Sequence, residues 1–101
     1  MAVTTRLDSA TETLTINVSG RFDFGVHQEF RDATEQASQG VRNINMDMGN
    51  VDYVDSSALG MLLILRDKVG ENKSAVKIIN TNSEVKKILE IANFDKLFTL
   101  E

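Results

Sequence analysis

The residues best equipped for chemistry lie together in one stretch, Val51 to Leu65, VDYVDSSALGMLLIL. Asp52 and Asp55 lead into two hydroxyls, Ser56 and Ser57, and then into eight uncharged residues, Ala58 to Leu65. A serine at such a place can cap a helix, attack an electrophile, or accept a phosphoryl group. Attack needs a neighbouring base that is itself oriented by a third group. The chain has one histidine, His27, far from the serines in sequence, and no GxSxG elbow. No GxxxxGK[ST] or GxGxxG run offers a nucleotide cradle. With no cysteine there is no thiol nucleophile, disulfide or cysteine-ligated metal. One histidine among scattered carboxylates is a poor metal-ligand set. The expectation is a protein that is not an enzyme and holds no metal and no cofactor.

The other two uses remain open. Asp55, Ser56 and Ser57 are all residue types favoured at a helix N-cap, where a side-chain oxygen contributes about 1 kcal/mol. The same position suits a phosphate, because unpaired N–H groups and the positive end of the helix dipole favour an anion. A phosphate would add about −1.5 to −2 charges, against which Asp52 and Asp55 stand as like charges. At 100° per residue, Ala58, Leu62, Leu65 and Val69 form one inward stripe. Leu59, Leu63 and Ile64 fall outside it, where a partner could cover them. Gly60 costs a helix interior about 1 kcal/mol relative to alanine, which fits something packing close to the backbone there.

These residues need elements to hold them. TETLTINVSG alternates, with Leu14, Ile16 and Val18 on one face and threonine, asparagine and serine on the other; this predicts a half-buried strand. VTTRL before it, across the turn DSAT, completes an antiparallel hairpin. Val26, Phe30, Ala33 and Ala37 recur at helical spacing, with Asp23 at the N-cap and Gly40 at the stop. NINMDM reads as a strand, and a helix runs from about Ser56 to Val69 and ends at Gly70. AVKII is a strand. Thr81 with Glu84 resembles a capping box before a helix marked by Val85, Ile88, Leu89 and Ala92, and LFTL closes the chain as a short strand. Alternating strands and helices predict a mostly parallel sheet with right-handed crossovers. Strands with a polar face argue that the helices cover mainly one side.

Length and composition bound the rest. A chain of 101 residues with 42% hydrophobic and 26% charged residues predicts one soluble domain over 1–101. The net charge of −4 and the scattered Lys and Arg residues predict no nucleic-acid binding. The longest apolar run, Ala58 to Leu65, is eight residues against the roughly 20 that span a bilayer. The opening MAVTTRLDSA has no secretory pattern, so a cytoplasmic protein away from membranes is expected. A one-sided sheet of this size predicts no sizeable small-ligand pocket.

DSSALG, Asp55 to Gly60, resembles the signature Asp-Ser-Ser/Thr-Gly-Leu-Gly of the STAS domain, in its bacterial anti-sigma factor antagonist branch. GRFD, Gly20 to Asp23, resembles a second element of that family, Gly-x-Leu/Phe-Asp, and nearly the whole chain follows its order of elements. The resemblance implies a STAS-like α/β fold: a four- to five-stranded mixed sheet, an antiparallel N-terminal hairpin followed by parallel strands, with three helices mainly on one face. It implies that Ser56 is a phosphoacceptor for a partner serine kinase, usually an anti-sigma factor, and that a phosphatase reverses the modification. It also implies that the unphosphorylated form binds the anti-sigma factor and so regulates transcription. Expected contact residues are Asp23, Asp55, Ser57, Ala58, Leu59, Gly60 and Leu63. Ala58 departs from the glycine common in the signature. The rival expectation is a non-enzymatic STAS interaction module of a larger signalling or transport assembly without phospho-switching. A monomer or weak homodimer is expected, since Leu59, Leu63 and Ile64 could also serve a second copy.

Overall fold

The structure, a computed structural model, describes residues 2–70 and 75–101. Strand β1, Val3–Asp8, turns back into β2, Thr13–Phe22. A 3-10 turn, Phe24–Val26, leads into helix α1, His27–Ala37. Then follow β3, Asn43–Val54, helix α2, Ser56–Val69, β4, Val76–Ile79, helix α3, Ser83–Ile91, a second 3-10 turn, Phe94–Lys96, and β5, Thr99–Leu100. The five strands lie in chain order across the sheet. The β1–β2 pair is antiparallel; β2–β3, β3–β4 and β4–β5 are parallel. Right-handed crossovers in a sheet built in sequential order all fall on the same side, so the three helices share one face.

The burial pattern follows. Leu14, Ile16 and Val18, then Ile44, Met46 and Met48, then Val76 and Ile78 point into the core. The alternate residues Thr13, Thr15, Asn17, Asn45 and Asp47 are only half-buried, on the open face. Opposite the sheet, Phe30, Ala33 and Ala37 of α1, Ala58, Leu62 and Leu65 of α2, and Val85 and Leu89 of α3 close one cluster. The Phe22 and Phe30 rings pack at 5.2 Å between centroids and join β2 to α1. Among the described residues no helix is long and apolar enough to cross a membrane.

Two local expectations are corrected. The third strand does not stop after NINMDM but runs on to Val54. Its period-2 pattern breaks because β3 carries extra residues opposite β2: Asn17 pairs with Asp47, Ser19 with Asn50, and Arg21 with Tyr53. Buried positions therefore fall at Met48, Val51 and Val54. On β2 the irregularity is accommodated by Gly20, whose φ of +79° favours a residue without Cβ. The third helix is capped by Asn82 rather than Thr81. Asn82 Oδ1 accepts from Val85 N at 2.8 Å, while its amide donates to Val51 O at 3.2 Å. One side chain thus starts α3 and ties it to β3.

Candidate functional site

Phe22 and Val54 are partners in the β2–β3 register. The residues that follow them, Asp23 and Asp55, therefore leave the sheet side by side at its C-terminal edge, about one strand spacing (roughly 4.8 Å) apart. Both are extended, and both turn their carboxylates onto the backbone ahead. Asp23 Oδ1 accepts from Gly25 N at 2.9 Å and starts the turn into α1. Asp55 Oδ1 accepts from Ala58 N at 3.1 Å and starts α2.

This settles which residue caps the central helix. Asp55 is the N-cap, so neither serine is. Ser56 is the first helical residue and is exposed; Ser57 is the second and is half-buried. Among the described residues nothing hydrogen-bonds to the Ser56 hydroxyl, and no base stands ready to take its proton. Asp55 satisfies one of the four unpaired N–H groups that begin any helix.

The other expected contact residues divide by exposure. Leu63 is 41% exposed, and Leu59 and Gly60 are half-buried on the flank of α2. Ala58 is corrected: it is fully buried, because the third residue of the helix faces the core, and its methyl offers no surface to a partner. Val69, expected on the inward stripe, is only half-buried, and Met61 is buried beside Leu62 and Leu65. Gly60 has nothing within 4 Å of where a Cβ would stand. Close packing against the described residues therefore does not account for it.

Sequence reasoning passed over three side chains at this end of the molecule. Arg21 lies over the Tyr53 ring at 4.0 Å and its Nε is 3.3 Å from Asp23 Oδ2. The two residues face each other in the β2–β3 register. Phe24 is 63% exposed and stacks on His27 at 4.2 Å. An aromatic directly after a capping aspartate, in a segment too short to bury it, was the available sign. Ile64, which helical spacing places off the core stripe, is 57% exposed.

Between α1 and α2 these exposed apolar groups border an open groove of about 570 Å³. The expectation of no sizeable pocket is thereby corrected. The sheet contributes nothing to this groove; the gap between two neighbouring helices forms it. Phe24, Phe30, Met61 and Ile64 line it, with Ser57 and Gly60 and the charged Arg31, Glu35 and Lys68. Thr34 lies in its wall, 3% exposed, and its hydroxyl has no hydrogen-bond partner among the described residues. An unpaired buried hydroxyl of this kind costs about 1–3 kcal/mol. Among the described residues no cluster of His, Asp and Glu could hold a metal ion.

A five-stranded mixed sheet with an antiparallel edge, three helices on one face and a serine pair at the start of the second defines a class. The chain belongs to the STAS domain family, whose profile matches residues 3–101. It is 47% identical to a STAS-domain containing protein of Pseudomonas aeruginosa over 100 residues, 99% of each chain. Among solved structures it resembles an anti-sigma factor antagonist from Mycobacterium paratuberculosis, with a TM-score of 0.74 at 18% identity, covering 97% of this chain and 84% of the other. It resembles the unphosphorylated anti-sigma factor antagonist SpoIIAA, with a TM-score of 0.70 at 20% identity over 94% and 96% of the two chains. The phosphorylated form of the Bacillus cell fate determinant SpoIIAA gives 0.74 at 18% identity over 99% and 91%.

Proposed function

We propose that this protein is a phosphorylation-controlled, non-enzymatic anti-sigma factor antagonist of the bacterial cytoplasm. In this reading the unphosphorylated form binds an anti-sigma factor or another switch protein through the edge formed by Asp23, Asp55 and Ser57 and the α2 flank of Leu59, Gly60 and Leu63. A partner serine kinase phosphorylates Ser56, which blocks binding, and a phosphatase restores it. The observation that carries the reading is the state of Ser56. Its hydroxyl is exposed at the first position of α2, released from capping by Asp55 and, among the described residues, engaged by no side chain. Such a group is open to a separate catalyst and is of no evident structural use.

Magnitudes favour a local block. Through the helix dipole a phosphate changes stability by only about 0.3–1 kcal/mol, too little to remodel the domain. An uncompensated charge placed inside an interface costs roughly 2–5 kcal/mol, or about 30- to 4000-fold in affinity. The chain's similar likeness to both forms of SpoIIAA, at TM-scores of 0.70 and 0.74, supports a fold that tolerates the modification.

The test is phosphate transfer. Incubation with ATP and the cognate kinase, followed by intact-mass measurement and fragmentation, is expected to add one phosphate at Ser56 and none to Ser56→Ala. Absence of any phosphate on the wild-type chain would instead favour an unswitched STAS interaction module.

A further inference from the structure

From the groove between α1 and α2 we infer a second binding site, for an anionic amphiphile: an alkyl chain with a carboxylate-type head. The inference does not depend on Ser56 being phosphorylated. The groove's volume of about 570 Å³ lies within the range of roughly 300–1,000 Å³ typical of small-molecule sites. Its lining residues run from His27 to Glu35 on α1 and from Ser57 to Lys68 on α2. At about 1.5 Å rise per residue these spans are roughly 12 and 16 Å long, the length of a medium alkyl chain. Phe24, Phe30, Met61 and Ile64 supply the apolar walls.

Two features select the head group. The first is Thr34, nine-tenths or more buried in the wall, with a hydroxyl that pairs with nothing among the described residues. A helical threonine has two accessible χ1 rotamers, and one rotation offers the hydroxyl to a ligand oxygen. The second is charge. Arg31 and Lys68 border the groove against the single acid Glu35. Arg31 is 3.9 Å from Glu35, and Lys68 has no ion pair among the described residues. The uncompensated cation is Lys68, which with Thr34 lies towards the C-terminal ends of the two helices. It offsets the partial negative charge that helix ends present to an anion there. Thr34 and Lys68 together favour an occupant with an anionic, oxygen-bearing end placed beside its apolar part.

The test is a titration of the isotope-labelled full chain with sodium decanoate, followed by amide NMR shifts, with decylamine as the charge-reversed control. Saturable shifts confined to α1 and α2 are expected with decanoate and not with decylamine. Thr34→Val, which keeps shape and burial, is expected to weaken binding about fivefold, and Lys68→Glu by about tenfold. Several results would overturn the proposal: no saturable shift, equal response to decylamine, or affinity unchanged in both variants. So would groove signals that move only with protein concentration or on adding a protein partner, because the occupant would then be a second copy or another protein.

Discussion

Phe22 and Val54 stand opposite each other on neighbouring parallel strands, and this pairing fixes Asp23 and Asp55 side by side at one edge of the sheet. Each aspartate then spends its carboxylate on the backbone two or three residues ahead. Two motifs separated by 31 residues of sequence from Asp23 to Asp55 thus become one surface. The serine that follows Asp55 is left with an exposed hydroxyl that no described residue engages.

Asp55 carries the start of α2. Asp55→Ala is expected to destabilise the fold by about 1 kcal/mol, which for a domain of this size lowers Tm by roughly 4–8 °C. Asp55→Asn, which can still accept the bond from Ala58 N, should retain most of that stability. Thermal unfolding of the two variants checks this; equal losses would mean that charge rather than capping matters at this position.

Leu62 and Leu63 are adjacent but play opposite parts. Leu62 is fully buried and Leu63 is 41% exposed. Leu62→Ala should cost about 2–5 kcal/mol, whereas Leu63→Ala should change stability by no more than about 0.5 kcal/mol. Urea unfolding midpoints separate them. In the proposed partner binding the order should reverse: Leu63→Ala is expected to weaken association while the fold is kept.

Gly20 and Gly60 are glycines for different reasons. Gly20 has a φ of +79°, so Gly20→Ala is expected to cost about 1–2 kcal/mol. Gly60 is helical with open space where a Cβ would stand, so Gly60→Ala should stabilise the chain by about 0.5–1 kcal/mol. If Gly60→Ala is stabilising and weakens partner binding, the glycine serves an approaching surface; a destabilised variant would mean that its place in α2 has been misjudged.

Much of the fold was legible because its periodicities are clean. TETLTINVSG alternates without interruption, and α2 begins at Ser56 and stops before Gly70, as its residues predict. The full length of β3 is not legible, because its extra residues opposite β2 displace the buried side chains from strict alternation. The cap of α3 is ambiguous in sequence because Thr81 and Asn82 are both capping types, and only the tertiary bond of Asn82 to Val51 O decides between them. The same holds for Asp55 against its two serines. Ala58 was expected at the contact surface because motif position carries no information on which way a first-turn residue faces. The groove was not legible at all. It arises from the spacing of two helices, and its most telling residue, Thr34, reads in sequence as an ordinary helix position.

The central claim is that charge at Ser56 controls association without altering the fold. The most direct measurement is the affinity of the purified cognate anti-sigma factor for the unphosphorylated chain and for the chain phosphorylated at Ser56, with amide NMR spectra of both. The account predicts affinity lower by about 30- to 4000-fold on phosphorylation, with spectral changes confined to the surroundings of Ser56. Equal affinities, or a loss accompanied by shifts throughout the core, would contradict it.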